Sequence, residues 1–304
     1  MRRTRGWKPQ HLLWLSLLAA LVTMGLKGLA WQLTGSVGYL SDALESVVNL
    51  LAAAFALVML VYARRPPDAG HPFGHGKAEY FSAAFEGGMI VLAALAILAA
   101  AGERLLNPSE LQALNLGTAL SVAASVINGL VAMALLRFSR VFRSPALEAD
   151  GRHLMTDVWT TAGVVLGVGL AQWSGWLWLD PVVAMAVAVH ILLEGGKLLL
   201  RAAGGLMDRA LAPETLQALE AVLREVLREV APSECGFHQL RTRESGAQQF
   251  AEVDLQVPGD WNVRRAHELA DLAEQRMRAL GVESMVHIEP LGSHGTDARS
   301  LELR

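Results

Sequence analysis

Two pairs of residues carry spacing that suits a metal ion: Glu45 with Asn49, and His153 with Asp157. Side chains four apart share one face of a helix, so each pair sends two donors in the same direction. Two such pairs on facing helices supply four N and O ligands, close to the tetrahedral set that Zn(II) accepts. A plainer reading stands beside this one. A carboxylate near a helix start interacts with the helix dipole, and an Asn in a buried helix makes an interhelical hydrogen bond. Cys235 is the one cysteine, which excludes an intramolecular disulfide and any zinc site built on several thiolates. A metal must rely on His, Asp, Glu or Asn.

The elements that would position these donors are set by where the apolar residues lie. Of the 304 residues, 53% are hydrophobic and 18% charged, with a mean hydropathy of +0.34, unlike an ordinary soluble domain. The excess collects before about residue 200 in six runs: 11–33, 38–62, 80–102, 114–136, 155–175 and 179–200. Each approaches or exceeds the ~20 helical residues that cross a bilayer core, and lipid requires that they be helices because open strands leave backbone groups unsatisfied. The first run is too long for a cleaved signal peptide and is expected to stay in the mature chain. Arg2, Arg3, Arg5 and Lys8 precede it, Arg64, Arg65 and Lys77 follow the second run, and Arg137, Arg140, Arg143 and Arg152 follow the fourth. The positive-inside rule makes these loops cytoplasmic, and with them both termini. A net charge of -3 excludes nucleic acid as a partner.

From about residue 205 the pattern becomes that of an amphipathic soluble domain. Helices are predicted over Pro213 to Val230 and Val263 to Leu280, and strands over Phe237 to Thr242, Gln249 to Val257 and Ser284 to Ile288. The expected fold is therefore an α-helical membrane protein, six transmembrane helices followed by a small cytoplasmic α+β domain of order αββαβ. The expected domains are 1–205 for transport, 206–292 for metal binding and dimerisation, and 293–304 as a disordered tail.

Intramembrane ionisable residues are expensive and usually functional, which favours the metal reading of the two pairs. The loop after the second run then adds Asp68 and His71-Pro72-Phe73-Gly74-His75-Gly76-Lys77-Ala78-Glu79. With these blocks, Gly35-Ser36-Val37, the run Leu206 to Leu211, His238 to Arg243 and His287-Ile288-Glu289-Pro290, nearly the whole chain resembles the cation diffusion facilitator family, its bacterial iron and zinc branch in particular. The resemblance implies a metallochaperone-like fold for the second domain. It also implies a transport site of Glu45, Asn49, His153 and Asp157. The family commonly has Asp or His and then Asp where this chain has Glu45 and Asn49, and the neutral amide removes one charge and one titratable group. Asp42 lies one turn from Glu45 and could compensate.

By resemblance, Asp68, His71 and His75 form a loop metal site. His238, Asp254, His267, His287 and Glu289 form a cytoplasmic site at a dimer interface, and Lys77 with Asp208 forms an ion pair at the dimer contact. The implied activity is efflux of a divalent transition-metal cation, Zn(II) first and Fe(II) next, with Co(II), Ni(II), Mn(II) and Cd(II) compatible. It runs as a proton antiport in a homodimer embedded in lipid, the bacterial inner membrane being the expected location. Divalent metal is also expected as a bound structural or regulatory ion. The chain is not expected to be an enzyme: it lacks HExxH and a nucleophile-base arrangement. A membrane metal sensor, or a channel without proton coupling, is the alternative. Lys27, Glu86, His190 and Glu194 match no block; Lys27 and Glu194 are expected to pair or to snorkel.

Overall fold

The structure is a computed structural model that describes residues 8–34, 37–107, 116–176, 178–230 and 235–292. The chain separates into two compact units, Met1–Leu206 and Met207–Arg304.

The first unit holds six long helices: α1 (Pro9–Thr34), α2 (Val37–Ala63), α3 (Ala78–Leu106), α4 (Leu116–Phe142), α5 (Pro145–Ser174) and α6 (Leu179–Leu206). Among the described residues, Pro9–Ala30, Ala78–Leu106, Leu116–Phe142 and Pro181–Leu206 are long and apolar enough to cross a membrane. In α2 the described apolar stretch is the shorter Asn49–Ala63. In α5 the first half carries Glu148, Asp150, Arg152, His153 and Asp157, which dilutes its hydropathy. Large apolar side chains such as Leu18, Leu33, Leu92, Leu130 and Leu193 are exposed on these helices. Lipid solvates such an exterior, which water would not.

Two clusters hold the unit together. Leu12, Leu13, Leu57, Leu60, Val131, Leu135, Leu147 and Leu154 join α1, α2, α4 and α5. Ala83, Ile90, Ala94, Ala149, Ile191, Leu198 and Ala202 join α3, α5 and α6. The second cluster is rich in alanine because these helices approach closely, as small residues permit in membranes. At Gly195 of α6 a Cβ would come 2.8 Å from Ile90 of α3, so glycine is required for that approach.

The helices run beyond the apolar runs, because a helix can continue past the hydrocarbon into polar sequence. The largest extension is in α5, which starts at Pro145, ten residues before the expected apolar run. Proline suits the first helical turn, where its missing N–H has no intrahelical acceptor to lose. His153 and Asp157 therefore do not sit at the helix head. Asp157 lies about 18 Å along the axis from Pro145 at 1.5 Å per residue, beyond the first turn where the dipole acts. The dipole account of Asp157 fails for that reason.

The second unit has the expected order: α7 (Pro213–Val230), β1 (Gly236–Ser245), β2 (Gln248–Val257), α8 (Val263–Ala279) and β3 (Glu283–Pro290). β2 is central, antiparallel to β1 and parallel to β3. Its alternation divides the sheet. Ala251, Val253, Leu255 and Val257 are buried against Leu219, Leu223 and Val226 of α7 and Leu269, Ala273 and Met277 of α8. The intervening residues, Asp254 among them, point to the other face. Burying Leu219 or Leu223 contributes roughly 1.5–3 kcal/mol each. Asn262 caps α8, its side-chain oxygen accepting from the Arg265 N–H at 2.9 Å.

Candidate metal centres

In the membrane unit, packing of α5 against α2 brings His153 to Asn49: Nε2 lies 2.8 Å from Oδ1, both residues buried. An amide oxygen only accepts, so Nε2 carries the ring proton and Nδ1 the lone pair. That Nδ1 is fully buried and has no hydrogen-bond partner. An unpartnered imidazole lone pair in a low-dielectric interior is costly unless something binds it.

Asp157, one turn further along α5, is held from two sides. Lys27 of α1 donates from Nζ to Oδ1 at 2.6 Å, and Asn128 of α4 donates from Nδ2 to Oδ2 at 2.7 Å. Lys27 and Asp157 are each 2% exposed. The acceptor of the Asn128 amide, Oδ1, is buried without a partner. Glu45 belongs to α2, but its side chain, like that of Asp42, lies outside the described residues. The described part of this centre is thus Asn49, His153 and Asp157.

Sequence reasoning did not connect Lys27 to Asp157 and overlooked Asn128. The signal for both was a polar residue inside an apolar run. The expected partnership of Lys27 with Glu194 is incorrect. Glu194 of α6 instead pairs with Arg152 of α5 and with Lys197 at 2.8 Å, while Arg201 and Arg152 both reach Glu148. Lys27 is buried among the helices and meets the Asp157 carboxylate there. Of the other polar residues, His190 packs edge-on against Trp159 with centroids 5.3 Å apart, and Glu86 accepts from Ser82 at 3.1 Å.

The loop between α2 and α3 gathers Asp68, His71 and His75, with one donor atom from each within 4.8 Å of the others. The turn makes this possible. Asp68 Oδ1 accepts from the backbone N–H groups of Gly70 at 2.9 Å and His71 at 2.8 Å, an Asx turn. Gly74, at φ 82°, then turns the chain so that His75 comes back beneath His71, their ring centroids 4.4 Å apart. His75 Nε2 is 3.3 Å from Asp68 Oδ2, and its buried Nδ1 has no partner. The backbone N–H of His71 holds the Asp68 carboxyl below its usual range. Two imidazoles and a carboxylate leave a tetrahedral ion one position for water.

In the second unit, strand register builds the third group. His238 on β1 faces Asp254 on β2, which in turn faces His287 on β3. Glu289, two residues on, shares the face of His287. His238, Asp254 and Glu289 bring donor atoms within 4.8 Å of one another, with His238 Nε2 2.9 Å from Glu289 Oε2. His287 is 3.7 Å from the other carboxylate oxygen. A β-bulge follows His238, where Gln239 has φ 51°, and it re-aims this end of β1. His267 does not join this group. It is exposed on α8, 3.6 Å from Asp271, and α8 covers the opposite, core face of the sheet.

The two halves of the expected dimer ion pair lie in different units. Lys77 donates to the Leu206 carbonyl at 3.2 Å, and Asp208 lies 3.5 Å from Arg243.

Residues 13–207 match the family model described as the cation efflux transmembrane domain, and residues 216–291 match that of the cation efflux protein cytoplasmic domain. An uncharacterized transporter of Synechocystis sp. is 47% identical over 91% of this chain and 89% of its own length. The cation-efflux pump FieF of Shewanella oneidensis is 32% identical over 91% of this chain and 92% of its own. Among solved structures, the metal-bound C-terminal domain of the CzcD transporter from Thermotoga maritima is 28% identical, covering 27% of this chain and 99% of that one, with a TM-score of 0.24.

Proposed function

The chain belongs to the cation diffusion facilitator family and is a cation efflux transporter; on that premise we propose that it exports a divalent transition-metal cation in exchange for protons. All six long helices cross the membrane, both termini face the cytoplasm, and the setting is a bacterial inner membrane. Zn(II) is the first candidate substrate and Fe(II) the second. The transport site is Glu45, Asn49, His153 and Asp157.

The observation that carries this reading is the buried meeting of His153 with Asn49, one turn from Asp157, with the imidazole Nδ1 left without a partner. An N and O set with one neutral amide accepts a borderline cation and holds it less tightly than two carboxylate pairs would. Imidazole and carboxylate ligands must be deprotonated to bind metal, so affinity falls as pH falls. If the site faces the cytoplasm when deprotonated and the outside when reprotonated, inward proton flow drives metal out.

The two further groups, Asp68-His71-His75 and His238-Asp254-Glu289 with His287, hold additional divalent ions in this reading. The protein works as a homodimer whose cytoplasmic domains associate. His267, remote from the group within one chain, then contributes across the dimer contact, and Lys77 with Asp208 sets the register of that contact.

The test is uptake of a divalent-metal panel into liposomes with and without an imposed pH gradient. Metal-dependent flux that collapses with the gradient is expected, with selectivity altered in Asn49→Asp. Flux that persists after the gradient is collapsed would replace antiport with a channel.

A further inference from the structure

The cation nearest the proposed transport site belongs to the protein itself. Lys27 Nζ sits 2.6 Å from Asp157 Oδ1, both groups buried, in the position a metal ligated by that oxygen would claim. Building on the proposed transport site, we infer that Lys27 is a tethered placeholder cation, which occupies Asp157 in the metal-free state and which the transported ion must displace.

Asp157 cannot remain an uncompensated charge at this depth, because a buried carboxylate needs a counter-charge or hydrogen bonds. Lys27 supplies the charge and Asn128 a hydrogen bond to the second oxygen. The two partners differ in what they can do. Asn128 is a short neutral side chain, suited to orient the carboxylate while Oδ1 is taken by metal, as an outer-shell partner does. Lys27 carries a compact charge on a flexible four-carbon stem, so its ammonium can withdraw without movement of the α1 backbone. The metal-free site is thereby stable, and the incoming ion exchanges one ionic contact for another. The net gain is small, which favours release on the far side. An ion must bind well enough to enter and weakly enough to leave.

Lys27→Met keeps the chain length and removes the charge. It is measured by Zn(II) titration of the purified full chain in a His71→Ala, His75→Ala, His238→Ala background, which disables the other two groups. Zn(II) affinity should rise about tenfold or more. In liposomes the same substitution should lower both KM and maximal flux, because release becomes slow, whereas Lys27→Arg should stay near the parent. Lys27→Gln, which keeps a donor toward Asp157, is the second variant. Unchanged or weaker Zn(II) binding in folded Lys27→Met or Lys27→Gln overturns the placeholder role. So does failure of both variants to fold, which would make the pair a folding element. Asp157→Ala in the same background separates the two levels. Loss of binding there with no change in Lys27→Met overturns the placeholder alone, and binding that survives Asp157→Ala overturns the transport site and the placeholder together.

Discussion

The buried donors of the membrane unit and the surface donors of the loop and the second domain use the same chemistry under opposite conditions. In the membrane unit the described donors already have intramolecular partners: Asn49 meets His153, and Asp157 holds Lys27 and Asn128. In the loop, Asp68 and His71 are exposed, water satisfies what the protein does not, and the carboxyl is kept ionised by backbone N–H groups. On the proposed reading, a metal arriving at the loop displaces water from the exposed Asp68 and His71, and one arriving at the second domain also parts His238 from Glu289. On the same reading, a metal arriving at Asp157 would have to displace Lys27, which would couple binding to movement of a side chain. That coupling is what a transport site needs and a storage site does not.

The sharpest way to break this contrast is Asp157→Ala. Liposome flux should fall beyond measurement, a larger loss than the roughly 10- to 100-fold that an outer-shell partner costs. Retained flux would place the pathway elsewhere. Asn128→Ala should follow, with flux down roughly 10- to 100-fold and the metal content of the other groups unchanged. Equal losses in both would mean that Asn128 is itself a ligand. For the second domain, His238→Ala should lower the metal count per chain while flux falls less than in Asn128→Ala. A flux loss as complete as that of Asp157→Ala would show that the cytoplasmic group gates transport.

The smallest effect is expected at Asp68. Its folded-state pKa is lowered, so the benefit of its charge is present above the unfolded value of about 4 and is lost only as pH falls through the still lower folded value. Asp68→Asn should therefore weaken metal binding at the loop by a similar factor at pH 7 and pH 5. A penalty that disappears at pH 5 would mean that Asp68 is already protonated there.

Much of the architecture was legible because it is local. Apolar runs longer than a bilayer core indicate helices, and alternation indicates the two strands; all five elements of the second unit appear in the expected order, although β1 runs on through Glu244 and Ser245, so that the turn falls at Gly246 and Ala247. The helix ends were less legible. α5 begins well before its apolar run, since helix formation past the hydrocarbon depends on caps and propensity rather than on hydropathy. Of the candidate site residues, His153 with Asp157 were visible through their four-residue spacing, and Asp68, His71 and His75 through the resemblance of their loop to the family.

What the sequence by itself determined was which faces carry donors, since period and spacing are properties of consecutive residues. Only the tertiary structure decided which donors meet. Lys27 and Asp157 are 130 positions apart and His153 and Asn49 are 104 apart. Their contact depends on how α1, α2 and α5 pack, which no local periodicity encodes. The same holds for His267, whose exclusion from the His238, Asp254 and Glu289 group follows from the face of the sheet that α8 covers. That face is chosen by burial of Ala251, Val253, Leu255 and Val257, whose apolar side chains α7 and α8 remove from water.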